Sequence, residues 1–179
     1  MVRKRMEEKF YENSLFLDFL YDMVLAQHLP DVGILSLTGN CTNILLWAHY
    51  ADSHKGCCLE FSSTTDRIFA NAQQVKYHEE YPKLDFKKCL QNPDALVEAT
   101  ILSKSSLWYY EEEWRTHSPE GPGLYKFKPE SLTGIILGYT MPQEQQDLLK
   151  RLAEVRVPKV KLFRAFPKHR EFEMEIIPI

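Results

Sequence analysis

Glu111, Glu113, Arg115 and Lys104 are the residues whose types and spacing suit chemistry. They stand in Lys-Ser-Ser-Leu-Trp-Tyr-Tyr-Glu-Glu-Glu-Trp-Arg, residues 104 to 115, among aromatic side chains that belong in an interior. A carboxylate beside Trp108 and Trp114 must find a partner or shift its pKa. In an extended chain Tyr109, Glu111, Glu113 and Arg115 share one face, with Trp108, Tyr110, Glu112 and Trp114 on the other. Glu113 then lies between Glu111 and the arginine, where one cation can hold it ionised while an oxygen stays free for a substrate hydroxyl. In a helix Glu111 and Arg115 instead form an i,i+4 pair that stabilises by about 0.3 to 0.5 kcal/mol. The extended arrangement builds a site and the helical one decorates a surface; the pattern leaves both open.

A second concentration of reactive types is Leu46-Trp47-Ala48-His49-Tyr50-Ala51-Asp52-Ser53-His54-Lys55-Gly56. His49 and His54 are five positions apart, roughly 140° on a helix, a poor arrangement for shared metal ligation. No metal is expected, and the histidines are read as bonded to backbone or carboxylate, with His49 and Tyr50 near a pocket. Trp47 lies a helical turn from Ile44 and Ala51 and is assigned to the core. Cys57 and Cys58 are neighbours on a predicted strand and point to opposite faces. Cys41 and Cys89 are isolated, so all four cysteines are expected as free thiols. The chain contains no G-x-G-x-x-G, G-x-x-x-x-G-K-[ST] or G-x-S-x-G fingerprint.

These residues need elements to hold them. Apolar positions between Arg3 and Gln27 recur at near-helical spacing before Pro30. Val32 to Leu37 reads as a strand before the turn Thr38-Gly39-Asn40. Thr42 or Asn43 can cap a helix running to about Asp52, and Gly56 is placed to end it in a left-handed conformation. Gly56 to Ser62 reads as a strand with Cys57, Leu59 and Phe61 on one apolar face, and Gln74 to His78 as another. Tyr81 to Pro93 reads as a loop with a short helix, and Asp94 to Leu107 as a helix leading into the acidic stretch. Strands are expected over Leu124 to Phe127, Leu132 to Tyr139, Lys159 to Phe166 and Phe172 to Ile177. Met141-Pro142 introduces a helix with Leu148, Leu149, Leu152 and Val155 as its apolar stripe. Helices and strands mixed without regular βαβ alternation predict an α+β fold, a mixed or antiparallel sheet with packed helices.

A length of 179 residues with 44% hydrophobic content suits one domain, a helical segment over 1–29 followed by an α+β core over 30–179. A net charge of -3 without a long basic block gives no strong nucleic-acid signal. No apolar run approaches the roughly 20 residues of a membrane span, and Met1 to Lys9 leads into no signal-peptide core. The expected location is the cytoplasm, with no membrane partner.

In order and wording, Leu45 to Gly56, Cys58-Leu59-Glu60-Phe61, Val75-Lys76-Tyr77, Lys104 with Trp108 to Arg115, and Ile135-Ile136-Leu137-Gly138 resemble the bacterial domain-of-unknown-function family 2971, over roughly residues 30 to 165. Members usually carry an upstream tyrosine-rich strand and a Phe-Asn-Asp-Pro-like motif. This chain has neither, so it looks N-terminally shortened. More distantly, the helix-to-strand element followed by Glu111-x-Glu113 is similar to ADP-ribosyltransferase-like toxins. That resemblance implies NAD as substrate and Glu113 as the acid that holds a ribose hydroxyl and stabilises an oxocarbenium-like transition state, with Glu111 as its helper. Tyr50 or Trp108 would stack on a ring of NAD, with His49, Lys104 and Arg115 completing the binding set. The expected function is therefore an NAD-using ADP-ribosyltransferase-like or NAD glycohydrolase-like protein of a defence or toxin system. The alternative is a noncatalytic ligand-binding or regulatory module.

Overall fold

The computed structural model describes residues 32–82 and 99–179. The expectations for the helical segment 1–29, for Cys89 and for most of the loop after Tyr81 lie outside the described residues. Strands β1 (Gly33–Thr38), β2 (Cys57–Phe61), β3 (Gln73–Gln74), β4 (Lys76–His78), β5 (Ser103–Ser105), β6 (Glu113–Ser118), β7 (Leu132–Leu137), β8 (Lys161–Pro167) and β9 (Met174–Pro178) combine with helices α1 (Ile44–Tyr50), α2 (Arg67–Ala70) and α3 (Gln143–Val155). The strands form a three-stranded sheet β1-β6-β3, a four-stranded sheet β2-β7-β8-β9 and a two-stranded pair β4-β5. β7 and β8 run parallel, joined through α3, and the other pairs of the four-stranded sheet are antiparallel. The fold is α+β with mixed and antiparallel sheets, as the pattern of elements predicts.

The four-stranded sheet is covered on both faces. Ile136 of β7, Ala165 of β8 and Met174 of β9 pack against Trp47 and Ala51 at α1. Their sequence neighbours Ile135 and Leu137 point the other way, as a strand's period of two requires, and pack with Met141, Leu149, Val160 and Leu162 on the α3 side. The Asn43 side chain begins α1 by accepting from the Leu45 N–H at 2.9 Å. The helix stops after Tyr50, earlier than expected, because Asp52, Ser53 and His54 all take positive φ. These three residues, rather than Gly56, make the left-handed turn; Asp and His tolerate that region better than most side chains. Gly138 at the end of β7 sits directly on this turn. Its N–H donates to the Gly56 carbonyl at 2.9 Å, and a Cβ there would stand 2.2 Å from the His54 oxygen.

Several boundaries and faces differ from the expected ones. Residues 104 to 115 are neither one strand nor one helix: β5 is followed by a 3-10 helix, Ser106–Glu111, and then by β6. The predicted helix from Asp94 to Leu107 therefore ends by Ile101, where 99–101 are helical. The strand predicted over Gln74 to His78 breaks at buried Val75, which separates β3, paired to β6, from β4, paired to β5. On β2, Cys58 packs toward the Trp47 core, while Leu59, expected inward, is exposed. Leu124 to Phe127 is not a strand; Leu124 is exposed, and Phe127 meets Phe61 and Phe69 edge-on. On α3 the inward positions are Gln146, Leu149 and Ala153, whereas Leu148, Leu152 and Val155 are exposed. The rotation follows from Gln146, whose buried amide donates to the Met141 carbonyl at 2.7 Å and so occupies a place that hydropathy reserves for leucine.

Candidate functional site

A single backbone reversal makes the two candidate acids converge. The 3-10 helix ends at Glu111, Glu112 turns left-handed with φ 44° and ψ 47°, and Glu113 opens β6. The pairing of β1 with β6 sets Thr38 opposite Glu113 and Ser36 opposite Arg115. The turn is tied down on every side. The Thr38 hydroxyl donates to the Glu111 carbonyl at 2.7 Å, the Gly39 N–H to that of Glu112 at 3.2 Å, and the Asn43 amide to that of Tyr110 at 2.8 Å. Asn40 donates to the Glu112 carboxylate at 2.9 Å, and the Tyr77 hydroxyl accepts the Glu113 N–H at 2.9 Å.

Glu111 and Glu113 are 4% and 5% exposed, so both carboxylates have left water and need partners. Lys104 Nζ bridges them, contacting Glu111 Oε2 and, at 2.9 Å, Glu113 Oε2. Arg115 grips Glu113 with two hydrogen bonds, Nε to Oε1 at 2.8 Å and Nη2 to Oε2 at 2.9 Å, and its Nη1 donates to the Ile101 carbonyl. Burial pushes the Glu113 carboxyl up, but hydrogen bonds from Arg115, Lys104 and Ser36 outweigh it and hold the acid at about 2. Burial lowers Lys104 less than its bonds to Glu111 and Glu113 raise it, and the ammonium form is favoured. The expectation that Glu113 keeps an oxygen free is corrected: Arg115 takes both oxygens and Lys104 shares one. Glu111, expected as the helper or as Arg115's partner, is as buried but is held by one cation only, with its Oε1 accepting the Tyr50 hydroxyl at 2.8 Å.

Tyr50 is 67% exposed and stands at the edge of this quartet. Burial and the bond to Glu111 raise its phenol above the ordinary value. His49 lies edge-on to both Tyr50 and Trp108, with ring centroids 6.3 Å apart in each pair, and Lys104 Nζ sits 5.3 Å from the Trp108 ring centroid. The structure thus brings His49, Tyr50, Lys104, Trp108, Glu111, Glu113 and Arg115 into one neighbourhood. Tyr50, Lys104, Glu111, Glu113 and Arg115 line a cleft of about 1140 Å³ between the β1-β6 sheet and β2 with α1; Trp47 and Trp114 also line it, whereas His49 and Trp108 do not. Sequence reasoning missed Ser36, Thr38, Asn40, Asn43 and Tyr77, which orient the acids. Asn43 carried a local signal only as a helix cap, and Thr38 and Asn40 only as a turn.

Among the described residues no group of three His, Cys, Asp or Glu gathers in a metal-binding arrangement. Cys41, Cys57 and Cys58 are free thiols that also line the cleft. Burial pushes all three up, Cys58 to about 11, which keeps them protonated and poor nucleophiles. Reducing agent and chelator should therefore each leave the melting temperature unchanged, as measured by differential scanning fluorimetry. A shift of several degrees with either would show a covalent or metal link.

The family model for protein of unknown function (DUF2971) matches residues 46–116. That span is narrower than the resemblance over 30 to 165, but it runs from α1 to β6 and contains Tyr50, Lys104, Glu111, Glu113 and Arg115 together. No curated protein and no solved structure matches the chain. Among the described residues no helix is long and apolar enough to cross a membrane.

Proposed function

We propose that the cleft is a small-molecule site and that the protein acts as a ligand-binding or regulatory module built around the buried quartet. The observation that carries this reading is the saturation of Glu113, whose two oxygens are both taken by Arg115 and Lys104. A charge-balanced quartet largely removed from water is costly to build, and acids with shifted pKa beside a cleft mark candidate functional sites. In this role Glu113 fixes the two cations and, through Lys104, orients Glu111, which meets the ligand. Titration calorimetry with NAD and with nucleosides, alongside an assay of nicotinamide release, tests the reading. Binding without release is the expected outcome, and steady release of nicotinamide overturns it.

A second reading, an NAD-using ADP-ribosyltransferase-like or glycohydrolase-like enzyme of a cytoplasmic defence or toxin system, is favoured by one observation. Glu113 is ionised across the physiological range and lies beside a second buried carboxylate in an E-x-E pair. In that chemistry the N-glycosidic bond breaks with its electron pair moving to nicotinamide. Water or an acceptor nucleophile then bonds to the ribosyl carbon and gives up its proton. Glu111 would hold a ribose hydroxyl, and the negative field of Glu113 would favour the developing cation. The nicotinamide assay separates the two readings.

A further inference from the structure

We infer that the cleft takes an uncharged compound of the nucleoside class, a planar base joined to a sugar bearing hydroxyls, and that one of those hydroxyls replaces the Tyr50 phenol on Glu111. The inference rests on the reading of the cleft as a ligand site. It begins from an asymmetry in Glu111: Oε2 is held by Lys104 inside the quartet, while Oε1 accepts from a ring standing largely in solvent. An ionised carboxylate oxygen only accepts hydrogen bonds, so whatever displaces the phenol must bring a donor. An alcohol can donate the same kind of bond as the phenol does; a phosphate or carboxylate presents a like charge instead.

The charges around the cleft point the same way. Lys104 and Arg115 are already neutralised by Glu111 and Glu113, and Glu60 on β2 adds a further carboxylate to the facing wall. Among the described lining residues three acids therefore face two bases, which disfavours each phosphate a ligand would carry. Aromatic side chains complete the lining, and the exposed rings of Tyr50 and Trp114 offer surfaces on which a planar ring gains contact. A phenol released from Glu111 remains beside His49 and is free to stack on the incoming ring.

Calorimetric titration of the wild-type protein and of Tyr50→Phe with adenosine, adenosine monophosphate and NAD tests this inference. The wild type should bind adenosine at least about tenfold more tightly than either phosphate-bearing compound. Tyr50→Phe should bind adenosine about threefold to tenfold more tightly than wild type, because the ligand no longer displaces a hydrogen bond to a charged group. The exposed ring makes a small change in melting temperature the expected sign that this variant is folded. NAD or the monophosphate binding as tightly as adenosine overturns the inference but leaves the ligand-site reading standing. Weaker adenosine binding by Tyr50→Phe does the same, since it makes the phenol a contact and not a stand-in. If none of the three compounds binds, the ligand-site reading falls and the inference with it.

Discussion

Glu113→Gln should lower stability by about 3 kcal/mol at pH 7 and flatten the acid dependence of folding between pH 5 and pH 2. The carboxyl sits at about 2 in the folded protein against an ordinary 4.5. A group depressed on folding contributes stability that is fully present above its unfolded pKa and is lost as pH falls through the folded one. A depression of this size corresponds to about 3 kcal/mol. Removing one member of a buried pair gives a similar figure by an independent route, about 3 to 5 kcal/mol. The lower end applies because the Lys104 and Arg115 side chains retain 20% and 17% of their exposure and can recover some hydration. Glutamine preserves the shape, so the loss reports the charge. Urea denaturation at pH 7 and pH 3 checks it: wild type should lose most of this increment between the two, and the variant much less. Asp66, held down by backbone N–H donors including Lys128, and Glu173, held down by Thr42, leave a residual slope in both proteins. A variant within 1 kcal/mol of wild type at pH 7 would show that the quartet stabilises little.

Trp47→Ala should cost about 3 to 5 kcal/mol. The indole is 3% exposed, packs with Ala51, Ile136, Ala165 and Met174, and donates from Nε1 to the Cys41 carbonyl at 2.7 Å. Truncation removes the ring, leaves a cavity under the four-stranded sheet and strips the Cys41 carbonyl of a donor. Trp47→Phe retains most of the volume and should lose only about 1 to 2 kcal/mol, the share of the hydrogen bond and the smaller ring. Equilibrium unfolding of the pair checks this, with an unchanged denaturant slope as the sign that the same surface is exposed on unfolding. Near-normal stability of the alanine variant would show that Trp47 serves the cleft rather than the core.

The legible parts of this protein were those whose cause is local. Asn43 ahead of an apolar helix, Pro142 at the start of α3 and the apolar run of β7 each announce themselves within a few residues. Glu111, Glu113 and Arg115 stand out by the density of charge among aromatics, although the expected burial of those aromatics is corrected: Trp108, Tyr109 and Trp114 are exposed, and it is the acids that are buried. What stayed hidden depends on distant pairing. Thr38 reaches the Glu111 carbonyl only because β1 pairs with β6, and Tyr77 meets the Glu113 N–H only because the chain breaks at Val75 and crosses to pair with β5. The inward face of α3 is hidden from the sequence for a related reason: a glutamine bonded to a local carbonyl packs inward as well as a leucine does.

The left-handed residue between the two acids bears on which substitutions this protein can accept. Glu112 touches neither Lys104 nor Arg115, yet its backbone geometry decides whether its neighbours face the same point. Glycine or asparagine can occupy that geometry at little steric cost, whereas a β-branched residue would be driven back toward an extended path. Position 112 is thus restricted by shape, while 111 and 113 are restricted by charge. A mutational scan would find three adjacent sites with two kinds of tolerance, and a valine in the middle would unmake the site without removing any charge that belongs to it.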